Sequence, residues 1–153
     1  MIFQHSLDIP ASTTVDEPLR ENMKVVQGLV YKLDIMFPPG CSGLAHLAIN
    51  YGLHRLWPMD ELEYFSSDSN TIAYDETYEL KEEPPILNII GWNDDTFWAH
   101  KITVRLGIVA KVEYMARYLP HLAYILIKEA EEEEKRKQKQ EALPSIYLPF
   151  KSG

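Results

Sequence analysis

The chain has 153 residues, 46% hydrophobic and 25% charged, a composition that excludes a disordered protein and supplies a core for one ordinary domain plus an appendage. A net charge of −8 at pH 7 argues against binding a phosphate backbone, which needs clustered Lys and Arg, and the single cysteine, Cys41, excludes an intramolecular disulfide. The charge is uneven: residues 1–110 hold 7 Lys+Arg against 16 Asp+Glu, and residues 111–153 hold 8 against 7, so the acid belongs to the body. No apolar run approaches the roughly 18 residues of a membrane span, and no basic segment followed by an apolar one opens the chain. The expectation is a protein made and kept soluble.

In chain order, residues 2–9 put Phe3, His5, Leu7 and Ile9 on one face of a period-two pattern and predict a first or edge strand. Residues 16–22 are polar around Pro18 and predict a loop or short helical turn. The run 23–37 is the strongest strand signal, with Leu29, Tyr31, Leu33, Ile35 and Phe37 on one face and Gly28 marking a bulge. The corner Phe37-Pro38-Pro39-Gly40-Cys41-Ser42-Gly43-Leu44 follows, where proline restricts φ and glycine permits positive φ, so one strand should end at Phe37 and the next begin near Leu44. Residues 44–51 carry Leu47, Ile49 and Tyr51 in one register, and Gly52 permits a reversal into 53–57. Residues 59–70 are polar and turn-rich, 71–80 resume β-type residues, and 86–92 and 101–108 read as two further strands. The last of these turns Ile102, Val104, Leu106 and Ile108 inward.

About seven short strands separated by Pro/Gly turns, without amphipathic helices between them, predict a mainly β antiparallel sandwich with a jelly-roll-like connection and an open strand order. From residue 112 the character becomes helical. Pro120 suits a first turn, Leu122, Ile125 and Leu126 offer a packing face, and Glu131, Glu132 and Glu133 each precede a base by four residues. Three parts are expected: a sandwich over 1–110, a helical arm over 111–143 and an apolar tail over 144–153. Ile146, Tyr147, Leu148 and Phe150 of the tail should dock as an anchor, on the chain's own sandwich or on a neighbouring chain.

Chemistry-bearing patterns are absent from the sequence. The five histidines show no metal spacing, no cofactor-binding motif occurs, and neither Asp94-Asp95 nor Asp60-Glu61 forms more than an acidic turn, so no catalytic, metal or cofactor residue is assigned and the expectation is a non-enzyme. Trp57, Trp92 and Trp98 form a possible platform for a sugar, although filling the core is the simpler role for two of them.

The series Ile9-Pro10-Ala11-x-Thr13, Gly28-Leu29-Val30, Phe37-Pro38-Pro39-Gly40-Cys41-x-Gly43-Leu44, His54-x-x-x-Pro58, Gly91-Trp92-Asn93-Asp94-Asp95 and His100-Lys101-Ile102-Thr103-Val104-Arg105 resembles small uncharacterised β-sandwich proteins encoded beside head genes of tailed phages and related viruses. The resemblance covers residues 3–108. It implies a virion structural role, a capsid-associated decoration or cement-like protein or a head-assembly protein. Its partners would be neighbouring virion proteins, the major capsid protein among them, and further copies of itself, with no direct nucleic-acid or membrane contact. The chain would be soluble in the host cytoplasm before assembly and part of the virion afterwards. The alternative is a carbohydrate- or receptor-binding module that uses the tryptophans.

Overall fold

Alternating apolar residues can bury one face of a strand and solvate the other, and the chain uses this period repeatedly. A computed structural model describes residues 1–142, which divide into two units at Ala110/Lys111. The first unit contains β1 (Ile2–Ile9), β2 (Leu19–Lys24), β3 (Gly28–Phe37), β4 (Ala45–Tyr51), β5 (His54–Trp57), β6 (Phe65–Ser66), β7 (Asn70–Leu80), β8 (Ile86–Asn93) and β9 (His100–Val109). The second contains α1 (Lys111–Tyr118) and α2 (Pro120–Ala142).

The strands form two antiparallel sheets, one ordered β1-β9-β3-β7 and the other β2-β8-β4-β5, with β6 also pairing β4. The pairings nest: β1 with β9, β2 with β8, β3 with β7 and β4 with β5. The chain is therefore one long antiparallel ribbon, doubled back at the turn containing Gly52 and divided between two sheets.

Both sheets contribute to a single core. Leu7, Ile9, Leu33, Ile35, Phe37, Ile102, Val104 and Leu106 from one sheet meet Leu47, Ile49, Leu87 and Ile89 from the other. Each such side chain stabilises the fold by about 1.5–3 kcal/mol through burial, so the inter-sheet layer carries the unit. The two sheets come close at Gly91, where an added Cβ would lie 2.5 Å from Ile9 Cδ1 and 2.7 Å from Leu7 Cδ2. At the sandwich edge, His5 Nε2 of β1 lies 2.7 Å from Glu21 Oε2 of β2, a polar link between the two sheets.

Three local expectations need correction. The segment 16–22 does not stay a loop, because β2 begins at Leu19 and pairs along β8; as an edge strand it buries only Met23 fully, so its polar sequence hides it. The irregularity in β3 falls between Val30 and Lys32 rather than at Gly28. That slip turns Val30 into the core and moves Tyr31 out of the series shared by Leu33, Ile35 and Phe37, and the Tyr31 ring instead lies against Gly107. The turn-rich stretch 59–70 also contains a short strand, β6.

The corner after β3 behaves as its sequence predicts: β3 ends at Phe37, β4 starts at Ala45, and Gly40 and Gly43 have φ of 94° and 73°. Two glycine substitutions separate backbone conformation from close packing. At Gly40 an added Cβ meets nothing within 4 Å, so Gly40→Ala should cost only the strain of its positive φ, about 1 kcal/mol. At Gly28, with φ 149°, the same atom would lie 2.7 Å from the carbonyl oxygen of Val109, and Gly28→Ala should cost about 2 kcal/mol or more. Urea unfolding of both variants checks the order, and equal losses would contradict it.

Candidate functional site

One end of the sandwich is built from four loops, residues 10–18, 38–44, 67–69 and 94–99, joined by backbone hydrogen bonds. Asn93, the last residue of β8, is fully buried at their junction. Its Nδ2 donates to the carbonyls of Ile9 at 3.4 Å, Pro10 at 3.3 Å and Trp98 at 2.9 Å, while its Oδ1 accepts the N–H of Asp95 at 3.0 Å. Its own N–H reaches the carbonyl of Thr13. One amide thereby ties the end of β1, the following loop and the β8–β9 loop together.

Asp95 completes the lock. Its Oδ1 accepts the N–H groups of Phe97 at 2.8 Å and Trp98 at 3.1 Å, and its Oδ2 lies 2.9 Å from Nε2 of the buried His100. The Phe97 N–H is the main cause holding the Asp95 carboxyl below its ordinary pKa, with His100 and the Trp98 N–H acting in the same direction against desolvation. Two large side chains stand outside this lock, Phe97 at 84% and Trp98 at 71% exposure. The neighbouring loops attach to it: Ser12 N–H donates to the Asp95 carbonyl, Asp94 N–H to that of Leu44, and Gly40 N–H to Asp68 Oδ1. Cys41 is buried in the corner, and burial, then Asp68 and Asp95, push its thiol pKa up, away from a reactive thiolate.

The three tryptophans have three different settings. Trp57 belongs to the core, with its indole N–H donating to Glu76 Oε2 at 2.8 Å. Trp92 stacks on His46 with ring centroids 3.7 Å apart and meets the edge of Tyr64, over which Arg55 lies at 4.7 Å. Burial lowers the His46 pKa, and Asp94, 3.7 Å away, opposes that shift. Only Trp98 presents most of its surface, so the expected platform of Trp57, Trp92 and Trp98 does not assemble as one face. The residue that does stand beside Trp98, Phe97, was legible as part of an Asp-x-Phe-Trp turn, since an Asp side chain caps N–H groups two and three residues onward.

In the helical unit, Pro120 opens α2, and the Leu119 and Ala123 N–H groups bond to the carbonyls of Met115 and Leu119 across the junction. Val112 and Met115 of α1 and Ala123, Leu126, Ile127 and Ala130 of α2 line a shallow apolar groove. The expected packing face changes accordingly. Leu126 lines the groove, whereas Leu122 and Ile125 are 46% and 39% exposed and point elsewhere around α2. Farther along, Glu133 and Lys137 form the expected pair at 3.3 Å. The tail residues Ile146, Tyr147, Leu148 and Phe150 lie outside the described residues.

Among the described residues no three His, Cys, Asp or Glu side chains converge in a metal-binding group, and no helix is long and apolar enough to cross a membrane. The Asp95 lock makes a pH prediction. A carboxyl whose folded pKa is depressed adds stability in full above its unfolded value of about 3.9, and that stability is lost as pH falls through the lower, folded value. The melting-temperature gap between the natural chain and Asp95→Asn should therefore be widest near neutral pH and narrow on acidification. A gap independent of pH would contradict the assignment.

No family model and no curated protein matches the chain. Among solved structures, "Crystal Structure of FLHE" matches with a TM-score of 0.36 and 7% identity, over 69% of this chain and 94% of that one. A likeness at that level carries no argument about function.

Proposed function

We propose that this chain is a virion structural protein, a capsid-associated decoration or cement-like component that binds neighbouring subunits and further copies of itself. The observation that carries the reading is the apolar stretch of the helical unit. Leu119, Leu122, Tyr124, Ile125, Leu126 and Ile127 surround the first turns of α2, and each is between 39% and 57% exposed. A helix that is hydrophobic all round belongs in a buried environment, and contiguous exposed apolar surface marks a contact with another protein. Covering these side chains would gain about 1.5–3 kcal/mol for each one fully buried.

The turn and strand-end pattern shared with proteins encoded beside phage head genes supports the virion as the setting, with the major capsid protein as a neighbour. A wrapped antiparallel sandwich gives such a protein a rigid body, and a helical unit gives it a surface for holding others. The carbohydrate-binding alternative is less supported, because a sugar platform would rest on Trp98 with neither Trp57 nor Trp92 beside it in the same setting.

Leu122→Gln/Ile125→Gln tests the reading, since glutamine keeps helix propensity and neither side chain lines the groove against α1. At about 0.5 M salt, where charge contacts are screened, the purified natural chain should be oligomeric by light scattering, the variant should dissociate with little change in melting temperature, and antibodies to the chain should label intact particles. A natural chain that is monomeric and fails to label particles would overturn the proposal. Trp98-dependent binding to a glycan array would then favour the alternative.

A further inference from the structure

The loop end of the sandwich has the chemistry of a cation-binding surface. Phe97 and Trp98 stand exposed on a loop whose backbone is fixed by Asn93 and Asp95, so covering them costs little further ordering of the loop. The four loops that form this end contain Asp16, Glu17, Asp68, Asp94 and Asp95 and no Lys or Arg. Asp68 and Asp95 are engaged with backbone N–H groups, while Asp16 and Glu17 face solvent and Asp94, 3.7 Å from His46, keeps more than half of its side chain exposed. Aromatic faces attract Lys and Arg side chains, whose aliphatic stems also cover apolar surface, and nearby carboxylates complete their neutralisation. The chain already uses such pairings, with Arg55 over Tyr64 at 4.7 Å and Lys128 over Tyr124 at 5.1 Å.

The complementary surface lies in the same sequence. Residues 135–139 of α2 read Lys-Arg-Lys-Gln-Lys; they follow Glu131, Glu132, Glu133 and Glu134, and on the helix Lys135, Arg136 and Lys139 share one exposed face while Lys137 points the other way. Ion pairs between exposed side chains on this helix, such as Lys137 with Glu133 at 69% and 68% exposure, contribute little and yield readily to another partner. We propose that the Phe97/Trp98 loop end of one copy binds residues 135–139 of a second copy, with the aromatic rings and Asp16, Glu17 and Asp94 receiving Lys135, Arg136 and Lys139. The contact joins different surfaces of the two copies, so its repetition generates a ring or a linear array. It is separate from the apolar surface around Leu122 and Ile125, and neither depends on the other.

The test is made on the full chain carrying Leu122→Gln/Ile125→Gln, so that loss of the apolar contact cannot be mistaken for loss of this one. In sedimentation equilibrium at low salt this chain should self-associate reversibly, and raising the salt from about 0.05 to about 0.5 M should weaken association at least about tenfold. Phe97→Ala/Trp98→Ala removes one half of the contact, and Lys135→Gln/Arg136→Gln/Lys139→Gln removes the other while keeping good helix formers. Each of these chains alone should be monomeric. Mixed in equal amounts, they should form a dimer and nothing larger, because each supplies one intact half. Circular dichroism checks their folding, and if the glutamine chain loses helix, the neutralised loop chain Asp16→Asn/Glu17→Gln/Asp94→Asn takes the test with the same expectation of reduced association. A mixture that stays monomeric, or either variant alone associating as its parent does, would overturn the proposal. Trp98-dependent binding to an unrelated Lys/Arg peptide, without self-association, would overturn it in favour of a different basic partner.

Discussion

The amide of Asn93 is the constraint on which the loop end of the sandwich depends. A buried amide without partners would be costly, roughly 1–3 kcal/mol for each group left unsatisfied, and here its donors and acceptor are all used. The three carbonyls it serves belong to the end of β1, the loop after it and the loop that carries Trp98. Its neighbour in the network, Asp95, then fixes the N–H groups of Phe97 and Trp98. Two polar side chains thus hold two apolar ones in water, an arrangement that packing alone would not produce.

The ribbon-like connectivity explains why these groups meet. Because β1 pairs with β9 and β2 pairs with β8, the β1–β2 and β8–β9 loops emerge side by side at one end, and the corner between β3 and β4 joins them there. The opposite end holds the β4–β5 turn where the ribbon doubles back. Acid concentrates among the loops of the first end, while the base-rich segment belongs to the other unit of the chain.

How much of this was legible in the sequence follows from which signals are local. Strands with one fully apolar face, such as β9 with Ile102, Val104, Leu106 and Ile108, could be read directly, as could the Pro-Pro-Gly corner and the start of α2 at Pro120. The strand β2 could not, because an edge strand packed on one side needs few apolar residues, and Leu19 and Met23 suffice. The face reversal at Tyr31 was hidden because an extra residue in a strand leaves no mark in composition. Leu122 and Ile125 fitted a packing face by spacing alone, yet the buried residue of α2 is Ala123, which lines the groove with α1. The Asn93 network was invisible for a different reason: its partners lie as far as 84 residues away, and only the topology brings them together.

The most direct measurement is residue-resolved hydrogen exchange on the natural chain and Asn93→Ala. If the buried amide holds the loop end, the substitution should lower protection at the backbone N–H groups of Ser12, Asp95, Phe97 and Trp98 while those of Ile35 and Val104, paired in the centre of the sandwich, keep theirs. Unchanged protection at those four groups, or a uniform loss across both sheets, would contradict the claim that Asn93 sets the loops rather than the fold as a whole.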